Sequence, residues 1–400
     1  MSDRTQAGQP ASLARAEVRT RFDLPAEPLT LADARLAVVN ATLAACWGGE
    51  MALVRRRGVA APEAAEQAAL LRWLGIHWVD AECGEAESSP PPMGGKRRED
   101  TRLWQRAWED QRLGISHAVV AEQVDALVAA SEHVAQRMGR RLTCYLAVGP
   151  AQFADDVPVD LAWYRERGFV PGGLRDLLAA STCWATPPAE PDAGELTAHF
   201  RAGRLSQGPW HLDGEALRAA ARRSMRQANP ARVTELLRPR LVAEYGRWHR
   251  AEGTSHTPEG WLAILADAVR QESACLSEAA ELAAFAFAGR VDTMTAEALA
   301  SLQGDHVPAV LQECLARINP DGLETPGRAA AFFQVLRHHF RDMLGLRGRQ
   351  VMFPIRAALA GSMIGPCLGI VASLLGSERC QDRLCAALEA LHTNEGSRLG

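Results

Sequence analysis

Residues 352–376, MFPIRAALAGSMIGPCLGIVASLLG, are the most apolar stretch of the chain, and how they fold decides what kind of protein this is. A membrane-spanning helix needs about twenty uninterrupted apolar residues. Here Pro354, Arg356 and Pro366 interrupt the run, with Gly361, Gly365 and Gly369 between and after them. Proline removes a helical donor and glycine loosens the backbone, so the stretch predicts two short helices with a turn at GSMIGP. Such a hairpin buries its apolar faces against other protein segments, and no membrane partner is expected.

The totals point the same way. The 400 residues are 47% hydrophobic and 23% charged, a globular balance that suits two to four domains. A net charge of −4 and a pI near 6.3 argue against a general nucleic-acid binder, and no DNA partner is expected. Nine scattered cysteines without a C-x-x-C pair predict reduced thiols in a cytoplasmic protein, with no disulfide framework and no metal site. MSDRTQAGQPASLARAE has no apolar centre, so no secretory signal is expected and residues 1–17 read as a loose tail. Lys96 is the only lysine, which excludes any chemistry that needs an ammonium group elsewhere.

Outward from the hairpin, the chain divides by periodicity. VRTRF (18–22), EMALVRR (50–56), ISHAVVA (115–121) and LTCYLAV (142–148) read as strands. TLADARLAVVNATLAACWGG (30–49), PEAAEQAALLRWLG (62–75) and VDALVAASEHVAQRMG (124–139) read as helices with proline or glycine at their ends. Strands alternating with helices up to about Gly149 predict a parallel α/β sheet. CGEAESSPPPMGGKRRED (83–100) reads as a mobile connection. Beyond Leu161 the expectation is all-α.

Six pieces, in this order, resemble bacterial glutamyl-tRNA synthetase, a class I aminoacyl-tRNA synthetase. They are VRTRF, ARLAVVNATLAACWGGEMAL, LLRWLGIHW, LGISHAV, WYRERGFVPGGLRDLLA, and MFPIRAALAG with the later GP and LLGSERCQDRL. The resemblance runs from Val18 to about Leu391 and implies an α/β Rossmann-like N-terminal domain over 18–155. It further implies a helical stem-contact-like domain over 156–250, anticodon-binding-like bundles over 251–325 and 326–392, and a tail over 393–400. The family activates glutamate with ATP and passes it to tRNA. The inserted domain that grips the tRNA acceptor end is reduced here to Ala81–Gly95.

The family's first ATP motif, His-Ile-Gly-Gly, falls on Thr30, Leu31, Ala32 and Asp33. Glycines there let backbone amides at a helix N-terminus approach phosphate. TLAD instead predicts a capping box, with Thr30 as N-cap and Asp33 at the third helical position, which fills the anion site with the protein's own carboxylate. The second motif, Lys-Leu-Ser-Lys-Arg, falls within 148–168, which has no basic residue before Arg165 and carries Asp155, Asp156 and Asp160. Each oriented donor lost costs roughly 10²–10³ in rate. No catalytic residue and no cofactor are therefore expected, although ATP belongs to the family. Of the residues that hold glutamate in the family, Arg21 matches one. Arg102 and Val120 stand at the tyrosine and second arginine positions, and VRRR (54–57) replaces Arg-Ile-Glu-Asp. Arg21 alone is a weak carboxylate hook or, failing that, a surface ion-pair residue.

Arginines cluster in two places. Nine lie between Arg218 and Arg250, against Glu235 and Glu244; six lie between Arg328 and Arg356, with His338 and His339, against Asp342. The resemblance puts both stretches on the tRNA side and makes Arg222, Arg223, Arg226, Arg337, Arg341, Arg347, Arg349 and Arg356 candidate tRNA contacts, with Trp248 and His339 as base-stacking candidates. His117 and His338 fit structural roles, and no Ser-His-Asp, Cys-His, P-loop or zinc pattern occurs. The leading expectation is a synthetase-like protein without aminoacylation activity that binds tRNA, a full-length synthetase or another tRNA-using enzyme. The alternatives are an active ligase with a remodelled site and a protein-interaction scaffold.

Overall fold

A computed structural model describes residues 18–55, 59–81, 98–121, 123–184, 193–201, 204–289 and 294–398. They form two compact units: residues up to 166 with 170–220, and residues 167–169 with those from 221 onward.

In the first unit β1 (Arg19–Leu24), α1 (Leu31–Cys46), β2 (Glu50–Arg55), α2 (Ala61–Trp73), β3 (Val79–Ala81), α3 (Arg98–Arg112), β4 (His117–Val120), α4 (Val124–Met138) and β5 (Cys144–Ala147) alternate. β1 pairs in parallel with β2, β2 with β3, and β4 with β5. Ser116, just before β4, donates its N–H to Arg19 O (2.9 Å), and its hydroxyl accepts from Arg19 N (2.9 Å). The strands thus run in the spatial order β3-β2-β1-β4-β5. The middle of β2 is buried on both faces, as its unbroken MALV requires.

Between β1 and β4 a side chain takes over from the backbone ladder. Val119 N donates to Asn40 Oδ1 (3.0 Å), while Asn40 Nδ2 donates to Val119 O (3.2 Å) and Leu36 O (2.9 Å). Thr20 Oγ1 donates to Asn40 O (2.8 Å). An amide has donors and an acceptor, so one buried Asn satisfies both backbone groups that β1 leaves unmet.

Two elements depart from expectation. Helix α3 lies where none was read, because its buried face mixes Trp104 and Ala107 with Asp110 and Gln111 and so breaks the apolar period. The chain beyond Leu161 is also not purely helical. β6 (Ala151–Phe153) pairs in parallel with β7 (Trp210–Leu212), across α5 (Leu161–Arg167), α6 (Pro171–Cys183) and α7 (Ala193–Arg201). Three residues are too few to show alternation. Trp210 is nonetheless buried, edge-on to Phe153 at 6.0 Å.

Helix α8 (Gly214–Gln227) spans the division between the units. The second unit continues with α9 (Pro230–Tyr245), α10 (Pro258–Arg270), α11 (Leu276–Leu282), α12 (Ala284–Phe287), α13 (Ala296–Ser301), α14 (Val307–Arg317), a 3₁₀ turn (Pro320–Leu323), α15 (Pro326–Leu344), α16 (Gly348–Ala360) and α17 (Leu368–Arg398). The apolar stretch is a hairpin: α16 stops at Gly361 (φ 69°) and α17 begins seven residues later. Arg356 ties the turn, donating to Ser362 O (3.1 Å) and Pro366 O (2.8 Å). Val351, Ile355, Val371 and Leu374 are fully buried. A side chain at Gly369 would meet Ala330 N at 2.9 Å, so only glycine lets α17 pass this close to α15. Gly376 (φ 77°, ψ 167°) then breaks α17. No described helix is long and apolar enough to cross a membrane.

Replacing Asn40 by Ala leaves Val119 N–H and C=O without partners. The expected loss is about 1–3 kcal/mol in the first unit, read as faster hydrogen exchange at β4 in the full chain, with exchange in α15 unchanged.

Candidate functional site

In an open parallel sheet, ligands enter at the C-terminal strand ends where the crossover direction reverses. Here that point lies between β1 and β4. A cavity of about 320 Å³ opens there, lined by Arg21, Asp23, Asp33, Asn40, Arg106 and Gln123 over an apolar floor.

Arg21 is fully engaged. It is 4% exposed, not a surface residue as the ion-pair reading had it, and each edge of its guanidinium meets a carboxylate. Nε donates to Asp23 Oδ1 (2.7 Å), Nη1 to Asp110 Oδ1 (2.7 Å) and Nη2 to Glu109 Oε2 (2.9 Å). Tyr145 OH donates to Asp110 Oδ2 (2.6 Å), and Arg106 lies 4.0 Å from both Asp23 and Asp110. Burial by itself would lower the Arg21 pKa, but the facing carboxylates outweigh it and hold the group well above its ordinary value. The resemblance implies that this arginine binds a substrate carboxylate; in this chain α3 supplies Glu109 and Asp110 instead.

The start of α1 is closed in the same manner. Asp33 N donates to Thr30 Oγ1 (3.2 Å) and Thr30 N to Asp33 Oδ2 (2.9 Å), forming the expected capping box. Leu31 N donates to Val159 O (2.8 Å) and Leu161 N to Leu29 O (2.9 Å), an antiparallel bridge joining the two segments on which the ATP motifs fall. In the first turn only the amide of Ala32 has no internal acceptor among the described residues. The acidic residues of the second segment serve as caps: Asp160 Oδ1 accepts from Ala162 N (2.9 Å) and Asp156 Oδ1 from Gly214 N (3.2 Å). Asp155 is exposed. Val120 is buried against the cavity, Arg102 is exposed on α3, and Arg55 is exposed at the end of β2. Residues 56–58 and the connection beyond Ala81 lie outside the described residues.

In the second unit half of the eight candidate arginines are tied to the protein. Arg222 faces Glu278 (3.5 Å), Arg226 donates to Gln271 O (2.8 Å), and Arg223 is also engaged. Arg238 stacks on Trp248 at 3.9 Å and covers one face of that ring. Arg356 is the hairpin's tie, a structural role that takes its donors away from any ligand. His339 lies 3.1 Å from Glu313. Arg337, Arg341, Arg347 and Arg349 remain exposed around the α15–α16 turn. Arg341 meets the exposed Asp342 (3.1 Å), and Arg349 lies 5.6 Å over Phe353. Met343 (70% exposed) and Leu344 (56%) share this surface, an uncommon setting for apolar side chains.

Comparison with known proteins places this architecture. A family model described as an anticodon binding domain matches residues 232–388. The chain is 29% identical over 226 residues to a glutamate–tRNA ligase of Desulfitobacterium hafniense, covering 55% of this chain and 44% of the relative. It is 28% identical over 234 residues to that of Natranaerobius thermophilus, covering 58% and 46%. The chain thus spans about half the length of the curated relatives it matches. A crystal structure of a glutamate tRNA ligase from Elizabethkingia meningosepticum in complex with its amino acid superposes with a TM-score of 0.70 at 13% identity, over 94% of this chain and 99% of that one. The chain therefore has the fold of an aminoacyl-tRNA synthetase. In sequence it is similar to glutamate–tRNA ligases.

Sequence reading missed Asp23, Glu109, Asp110 and Tyr145. The signal was present in α3, where Leu103, Trp104, Ala107, Asp110 and Gln111 follow helical spacing. An acid on a buried face needs a cation.

Arg21→Gln removes the cation in direct contact with Asp23 and Asp110 and leaves Arg106 at 4.0 Å, and about 3 kcal/mol of stability should be lost, measured by denaturant unfolding. Tyr145, Tyr164 and Tyr245 are the only tyrosines, and burial raises all three, Tyr245 to about 12 and the others further. Unfolded tyrosine ionises near about 10, so this stabilisation is complete below that pH and declines as pH rises above it. At pH 11 the native protein should show little tyrosinate absorbance at 295 nm, and unfolding should release it.

Proposed function

We propose that the first unit is a Rossmann-like synthetase domain that no longer activates an amino acid, and that the chain binds tRNA through its second unit. One observation carries the first half. The guanidinium that the resemblance assigns to the substrate carboxylate is saturated by Asp23, Glu109 and Asp110. The capping box and the Leu31–Val159 bond support the same reading, because they take the amides a phosphate would use. A triphosphate brought here meets Asp33 and Asp160 with no lysine to offset them.

The second half rests on the anticodon-binding domain match and the exposed arginines of the α15–α16 turn. Guanidinium groups beside exposed apolar and aromatic side chains suit phosphate tracking with base stacking. Arg222, Arg223, Arg226 and Arg356 leave the contact set because the fold uses them. No described residue suggests a second chemistry.

ATP–pyrophosphate exchange across the twenty amino acids should stay at background; robust exchange with glutamate overturns the inactive reading. Filter binding of tRNA should weaken steeply with salt. Arg337→Gln and Arg349→Gln should each reduce the log–log salt slope by about 0.7–0.9. Binding that ignores salt, or is unchanged in both variants, rejects the α15–α16 surface.

A further inference from the structure

The first unit holds a second cavity, of about 680 Å³, away from the Arg21 network. Its walls are the starts of β2 and β3 and the C-terminal turns of α1, whereas the Arg21 cavity lies at the strands' C-terminal ends. Helix α1 makes the cavity unusual. Its sixteen residues include only Asp33, Arg35, Asn40 and Thr42 as polar side chains, so it should be buried on every side. Its last two turns are not: Ala41 is half-buried and Ala45 exposed, and together with the half-buried Val79 they form an apolar floor above the buried Met51.

The rim is cationic. Arg175 of α6 and Arg201 of α7 both line it. Arg201 spends Nε on Cys46 O (3.2 Å), and Arg175 meets the exposed Asp176 at 3.4 Å. The one carboxylate of the lining, Glu50, is already paired with Arg19 at 3.2 Å. Trp78 adds a flat wall held from outside, with its indole N–H on Asp80 Oδ1 (3.0 Å) and Arg72 4.9 Å from its ring. Uncovered apolar floor, aromatic wall and two cations with donors to spare make a concave site of ligand size.

We propose that this cavity binds an organic anion with a flat apolar body. The body rests on the alanine floor beside Trp78, and its carboxylate or phosphate is held by Arg175 and Arg201. The inference is independent of the tRNA reading, since none of its residues belongs to the Arg21 cavity or to the second unit.

Fluorescence anisotropy of 1-naphthyl phosphate and 1-naphthoate with the full chain tests it. Both anions should bind saturably, the tighter one telling phosphate ester from carboxylate as the natural head group. Neutral 1-naphthol and inorganic phosphate should each bind at least about tenfold more weakly, and Arg175→Gln and Arg201→Gln should each weaken the anions by about tenfold. Ala45→Trp should abolish binding by filling the floor, while Arg337→Gln in the second unit should leave affinity unchanged. All variants sit on exposed positions, and their thermal transitions should match the parent chain. The proposal is overturned if no anion saturates, if 1-naphthol or inorganic phosphate binds as tightly as the naphthyl anions, or if Ala45→Trp and both arginine variants keep full affinity.

Discussion

The first unit is organised around a buried positive charge. A guanidinium taken out of water is tolerable only if its charge and its donors are answered nearby. Arg21 is answered by carboxylates from β1 and α3, one of them held in turn by Tyr145 of β5. This arrangement ties α3 to the sheet from both sides of the β1–β4 junction. The proposed function follows from the same contacts, because Asp23, Glu109 and Asp110 occupy the edges of the guanidinium. Stability and the proposed loss of substrate recognition rest on one set of bonds.

The second unit applies the same chemistry with carbonyls in place of carboxylates. Arg383 is 2% exposed and donates to Leu359 O, Phe285 O (2.8 Å) and Ala288 O (2.7 Å). Arg250 reaches Phe287 O (2.6 Å) and Ala288 O (2.9 Å), and Arg379 reaches Arg250 O (2.7 Å) and Leu374 O (3.0 Å). Arg383 and Arg250 thus gather on the carbonyl end of α12, where helix dipole and unmet acceptors both favour them. With no carboxylate at hand, burial lowers Arg383 to about 10. Arginine suits this work because its planar fork presents several donors at once. An arginine-rich segment in this protein is therefore a poor measure of surface charge.

This explains what could be read in advance and what could not. The hairpin at 352–376 was legible because glycine and proline act locally, and the Thr30–Asp33 box because its partners are three residues apart. The β2, β4 and β5 strands declared themselves through short apolar runs, and β1 through the β-type segment VRTRF. β6 and β7 did not, since three residues carry no period. The Arg21 network was illegible for a different reason: its partners lie 2, 88 and 89 residues away, and charge alone does not say which acid will meet which base. Part of the arginine pattern was illegible in the same manner, as Arg222, Arg226 and Arg356 find partners that only the fold brings near.

A sharper rule follows for chains in which arginine replaces lysine throughout. Lysine snorkels to water on a flexible stem, so a lysine cluster usually marks a charged surface. Arginine can be buried and still satisfied, so a cluster divides into members that staple the fold and members that remain outside. In this protein the division tracks neighbouring structure: arginines beside helix ends or turns, such as Arg250, Arg356 and Arg383, are taken up. Those on the open side of α15 and at the start of α16 stay in water. Between Arg337 and Arg356 the arginines left in water therefore lie on α15 and at the start of α16, the surface proposed above to meet tRNA.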